Sequence, residues 1–94
     1  MKDFDIVISI ITYNSDLENL KKLIESINQF KNIRIQIIIA DNNSDNNYFN
    51  ELLKLNSNVI SLGKNYGYGK ANNIVNKISA KSKYFLVLNP DIYF

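Results

Sequence analysis

Apolar runs rich in β-branched residues recur along the chain, and stretches of helical periodicity separate them. The first runs from Asp5 to Thr12, the second from Ile35 to Ala40 with Gln36 as its interruption, the third from Val59 to Leu62 and the fourth from Tyr84 to Leu88. Short continuous runs of this kind predict strands buried on both faces, the habit of a parallel sheet inside an α/β protein. Between the first two, Leu17, Leu20, Ile24 and Ile27 recur at helical spacing. Ser15 and Glu18 predict a capping box at that helix start, and Glu18 with Lys22 predicts an i,i+4 pair on its wet face. Tyr48, Phe49, Leu52 and Leu53 predict a second, shorter helix with Asp45 as its N-cap. A third helix carries Ala71, Ile74, Val75 and Ile78 on one side. The order βαβαβαβ predicts an open, mainly parallel sheet with flanking helices and right-handed crossovers. No repeat or linker interrupts residues 1–94, so the expectation is one domain.

The candidate chemistry gathers where strands end. Thr12-Tyr13-Asn14, Asp41-Asn42 and Asn89-Pro90-Asp91 each follow an apolar run, and in a parallel sheet these tips share one edge. Ligands of open α/β sheets bind in the crevice beyond the carboxyl ends of the strands. There Asp41 can accept hydrogen bonds from a nucleobase N–H or a ribose hydroxyl, although Asp-Asn-Asn-Ser is also ordinary turn chemistry. Tyr13 is either packing or a face on which a base stacks. Gly63, Gly67 and Gly69 precede the third helix. They match neither the Gly-x-Gly-x-x-Gly fingerprint nor a P-loop, and they read as a tight turn or as an approach for an anionic ligand. Asp91, after Pro90, is a turn residue or a carboxylate for a hard cation such as Mg²⁺.

Composition narrows the classes. A formal charge of +2 with scattered lysines gives no basic stripe for nucleic acid. Cysteine and histidine are both absent, which excludes disulfides, thiolate metal sites and an imidazole base. No segment has the apolar length of a membrane span, and the start of the chain lacks a signal-peptide pattern, so the expected location is cytoplasmic.

Taken in order, Ile10 to Asn14, Ile39 to Asp45, Asn65-Tyr66-Gly67-Tyr68-Gly69 with Ala71 and Asn73, and Leu86 to Asp91 resemble the motifs of a known family. The chain resembles the N-terminal, nucleotide-binding part of a family 2 glycosyltransferase of the GT-A fold, nearest its rhamnosyltransferase-like branch. The resemblance implies a Rossmann-like half domain that binds a UDP- or dTDP-type sugar donor for inverting transfer to a glycan or lipid-linked acceptor. Thr12, Tyr13 and Asn14 would border the base, and Asp41 would bond its imide N–H. Asn65, Gly67 and Asn73 would follow the ribose and diphosphate, with Asn89 beside them, and Asp91 would hold a divalent metal, Mg or Mn. Asn89 departs from the family's Asp-x-Asp motif, leaving Asp91 as its one carboxylate. The family's general base lies beyond residue 94, so no catalytic residue is expected in this chain, which is expected to stop short of the acceptor-binding half. The resemblance also implies polysaccharide synthesis, with peripheral attachment at the inner face of the cell membrane.

The alternative is a non-catalytic flavodoxin-like or receiver-type domain in which Asp41 accepts a phosphoryl group. It needs an acid at the tip of the first strand, and none is there. One further expectation concerns the fourth strand, whose outer side would be an open edge prone to self-association.

Overall fold

The computed structural model describes residues 4–55 and 58–90. Strand β1 spans Phe4–Thr12, helix α1 Leu17–Asn28, β2 Ile35–Asp41, α2 Asn46–Leu53, β3 Val59–Ser61, α3 Tyr68–Ile78 and β4 Ser82–Leu88. All strand pairs are parallel, in the order β3-β2-β1-β4. The α/β architecture predicted from the periodicities is the one observed.

The central strands explain their own sequence. Ile8 and Ile10 of β1 join Ile37 and Ile39 of β2 against Leu20, Leu23, Ile24 and Ile27 of α1 and Leu52 of α2. The alternate residues Val7, Ile11, Ile38 and Ala40 meet Ala71 and Val75 of α3 on the opposite face. Both faces are covered, so neither strand alternates apolar with polar. Within β1 Ser9 is a fully buried polar exception, and its hydroxyl donates to Asn72 Oδ1 at 2.7 Å within the α3 layer. Asn72 Nδ2 in turn donates to the Tyr68 carbonyl at 3.1 Å. A buried polar pair satisfied in this way costs little.

Local signals needed several corrections. The N-cap of α1 is Asp16, not Ser15: Asp16 Oδ1 accepts from the Glu18 N–H at 2.9 Å and the Asn19 N–H at 3.2 Å. Carboxylates cap as well as hydroxyls, and such a cap contributes about 1 kcal/mol. Ser15 instead accepts from the Tyr13 N–H at 3.2 Å, closing the turn before the helix. Asp45 does occupy the N-cap position of α2, but its side chain makes no capping bond. Ion pairs among the described residues are Arg34–Asp5 and Lys54–Glu51, so Glu18 and Lys22 remain unpaired with each other. On α3 the buried stripe is Ala71, Asn72 and Val75, while Ile78 at the helix end is exposed.

The largest difference is β4. It is not buried on both faces: Tyr84 is 60% exposed, and Leu86 and Val87 are also open. The cause is topological. β4 pairs only with β1, and its other edge has no strand beside it among the described residues.

Strand order also locates the crevice. From β1 the chain moves outward through α1 to β2 and through α2 to β3, then returns through α3 on the other face to β4. The direction reverses between β1 and β4. A switch point of that kind leaves a gap at the carboxyl ends of the two strands.

Candidate functional site

The gap at the switch point is an open cleft of about 360 Å³. Thr12 and Tyr13 at the tip of β1 and Asn89 and Pro90 beyond β4 form two of its walls. Asn42, the residue after β2, and Asn65, Gly67 and Tyr68 before and at the start of α3 form the rest, with Ile11 and Ser15. Its surface is dominated by neutral hydrogen-bonding groups and two tyrosines, of which Tyr13 is 55% exposed. Chemically it suits a ligand with an aromatic face and several polar edges.

Behind this wall lies a network centred on Asp41, which is only 1% exposed. Its Oδ1 accepts from the Thr12 hydroxyl at 2.8 Å and from the Ser44 hydroxyl at 2.6 Å. Its Oδ2 accepts from the Ser44 N–H at 2.8 Å. The Ser44 hydroxyl also accepts from the Asn14 N–H at 2.7 Å, and Asn14 Oδ1 accepts from the Asp45 N–H at 3.3 Å. Asn14 sits at φ 48, a left-handed value that asparagine tolerates better than most residues. The loops after β1 and β2 are therefore laced together, and Asp41 is the lacing point.

The glycine segment forms the facing wall. Asn65 Oδ1 accepts from the Gly67 N–H at 2.8 Å, a local turn that places Gly67 at φ 80 and ψ 170. That backbone region belongs essentially to glycine. Gly67 is the N-cap of α3 and supplies no capping side chain, and Gly67 and Tyr68 at that helix start line the cleft; a helix N-terminus favours an anion. Lys64 and Lys70 lie 4.9 and 5.3 Å from the centre of the Tyr66 ring, adding positive charge to this segment.

Beneath the Ser15 turn, the Tyr48 hydroxyl is buried without a well-aligned hydrogen bond. Burial pushes its pKa up to about 12; nearby Ser15 groups lower it in part, and the Asp41 and Asp16 charges raise it further.

Of the residues expected from sequence, Thr12, Tyr13, Asn65, Gly67 and Asn89 meet around one cleft. Asp41 stands behind them as an internal acceptor, and Asn14 serves the loop lacing. Asn73 is exposed on α3 and is not among the cleft walls. Asp91, the expected metal ligand, lies outside the described residues, and no group of three His, Cys, Asp or Glu able to hold a metal occurs among those described. Asn42 was legible as a strand-tip residue suited to ligand contact but was given no role of its own, and it lines the cleft. Tyr68 and Ser15 also line it; the sequence placed them only in the glycine segment and in a helix cap.

The fold and its cleft define a class: an open parallel α/β sheet with its crevice at the switch point, the Rossmann-like half of a GT-A architecture. The family model described as glycosyl transferase family 2 matches residues 7–94, and the chain belongs to that family. The crystal structure of S. aureus TarS 1–349 is similar, with a TM-score of 0.76 and 22% identity over 95% of this chain. The alignment covers 28% of the TarS chain, so the present sequence spans well under half of that relative. No curated protein gives a significant match. No helix among the described residues is long and apolar enough to cross a membrane.

Proposed function

We propose that the chain is the donor-binding part of a glycosyltransferase that uses a UDP- or dTDP-type sugar, of the rhamnosyltransferase-like branch. The observation that carries this reading is the convergence of Thr12, Tyr13, Asn42, Asn65, Gly67, Tyr68 and Asn89 on one cleft at the switch point. Tyr13 offers the base a face, Thr12 offers its edge a polar partner, and the α3 end meets the diphosphate. Asp41 acts through Thr12, fixing where that hydroxyl lies, and it reaches the base imide only if Ser44 yields a share of its carboxylate. Asp91 would hold a divalent Mg or Mn ion, whose charge offsets that building on the departing diphosphate.

Transfer in such an enzyme is direct displacement. The acceptor hydroxyl attacks the anomeric carbon, the bond from that carbon to the diphosphate oxygen breaks, and the hydroxyl proton passes to a carboxylate base. This chain supplies the donor side of that reaction. A glycan or lipid-linked acceptor and a cytoplasmic location, peripheral to the membrane, complete the proposal. The receiver-type alternative has no support from the site, because Asp41 is buried and bonded to Thr12 and Ser44.

Titration with UDP and dTDP, with and without Mn²⁺ and with uridine as the phosphate-free control, tests the reading. Saturable binding of a diphosphate, tightened by Mn²⁺ in wild type and not in Asp91→Asn, is expected. Equal failure of both diphosphates would overturn the proposal.

A further inference from the structure

Asn42 is 4% exposed, and all of its hydrogen-bonding reaches out of its own loop. Its backbone N–H donates to the Thr12 carbonyl at 2.8 Å. Its side-chain Oδ1 accepts from the Tyr66 N–H at 3.1 Å, and its Nδ2 donates to the Gly67 carbonyl at 3.3 Å. The orientation of the amide is fixed by its partners, since a backbone N–H only donates and a carbonyl only accepts. Among the described residues, every hydrogen bond from residues 64–67 to a part of the chain before β3 runs through the Asn42 side chain. Gly63 and Gly67, both at positive φ, give the segment conformational freedom that something must restrain.

We infer that Asn42 is the positioning residue that sets the separation of the two cleft walls, its backbone N–H bonded to Thr12 at the β1 tip and its side-chain amide bonded to the glycine segment. This rests on the donor-site reading above. The residue type follows from the geometry. One acceptor and one donor are needed side by side, at the reach of a single methylene from β2. Aspartate keeps the acceptor for Tyr66 but sets a carboxylate oxygen against the Gly67 carbonyl. Alanine leaves both loop groups without a partner. With the clamp broken, Gly67 and the first turn of α3 lose their register with Thr12 and Tyr13, and a ligand must restore it on binding.

The test uses two variants and two readouts on the chain itself. Exchange of the Tyr66 amide proton, followed by NMR, reports the clamp directly, with the Ile10 amide in β1 as the internal measure of fold. UDP and dTDP titrations report the cleft. Asn42→Ala is expected to speed Tyr66 exchange by about tenfold or more, leave Ile10 protected, and weaken nucleotide binding by about tenfold or more. Asn42→Asp, isosteric and the safeguard should the alanine variant not fold, is expected to keep Tyr66 protected yet still lose nucleotide affinity through Gly67. Unchanged Tyr66 exchange in Asn42→Ala, or faster exchange with wild-type affinity, overturns the inference while leaving the donor-site reading intact. A wild-type chain that binds neither nucleotide, with Tyr66 exchange responding as described, overturns the donor-site reading and the positioning role with it.

Discussion

Thr12 and Asp41 are register partners on β1 and β2, and the Thr12 hydroxyl donates to the Asp41 carboxylate at 2.8 Å across the strand tips. Both are buried, so no water replaces the bond if one partner is removed. Asp41→Ala strands the Thr12 hydroxyl together with the Ser44 hydroxyl and N–H. The expected loss is on the order of 3 kcal/mol, since hydrogen bonds to a charged acceptor are among the stronger ones. Urea denaturation measures it. A variant within about 1 kcal/mol of wild type would mean that the network is not what joins the two tips.

Gly67 and Gly69 separate backbone need from helix propensity. A Cβ at either meets nothing within 4 Å, so neither substitution clashes. Gly67 has φ 80, and Gly67→Ala is expected to cost about 1–3 kcal/mol in strain alone. Gly69 lies inside α3 with ordinary helical geometry, and Gly69→Ala is expected to stabilise by about 0.5–1 kcal/mol. Thermal melts of the two variants should move in opposite directions.

Tyr48 ties stability to alkaline pH. Its folded pKa is raised by burial from an ordinary value of 10.0 to about 12. The folded state therefore holds the phenol proton more tightly than the unfolded chain. The stabilisation linked to that proton is complete below pH 10 and is lost as pH rises toward 12. Tyr48→Phe is expected to flatten this part of the pH–stability curve. At neutral pH it should cost little, because the hydroxyl it removes has no aligned partner.

The open edge of β4 gives the fourth expectation. Tyr84, Leu86 and Val87 are exposed along a strand whose outer edge has no partner strand among the described residues. Uncovered, such an edge recruits other strands. Sedimentation across a wide concentration range should show association, and Leu86→Lys should weaken it. A single monomeric species at every concentration would contradict this.

The strands, helices and their order were legible because burial on both faces leaves continuous β-branched runs, as in Val7 to Ile11 and Ile37 to Ala40. What was not legible depended on neighbours distant in sequence. Tyr84 to Leu88 was expected to leave an open outer edge, and it does among the described residues. Its apolar run reads as buried on both faces whether or not anything covers it, so the exposure of Tyr84, Leu86 and Val87 could not be seen. Ser15 and Asp16 are both capable N-caps one residue apart, and only the direction of entry into α1 decides between them. Asn72 looks like a surface residue until Ser9 is placed opposite it. At the site, the tips were legible but not their facing. Asp41 and Asn42 are successive residues with different surroundings, and the reach of Ser44 turns the carboxylate inward while the amide meets the cleft.

On the proposed function, a nucleoside diphosphate occupies the cleft between the β1 tip, the glycine segment and the β4 tip. NMR shift mapping with UDP and dTDP in the presence of Mg²⁺ tests it most directly. Saturable shifts are expected at the amides of Thr12, Tyr13, Asn42, Asn65, Gly67 and Asn89, with those of Lys54 and Ile78 unmoved. Saturable shifts confined to another surface, or none with either nucleotide, would contradict it.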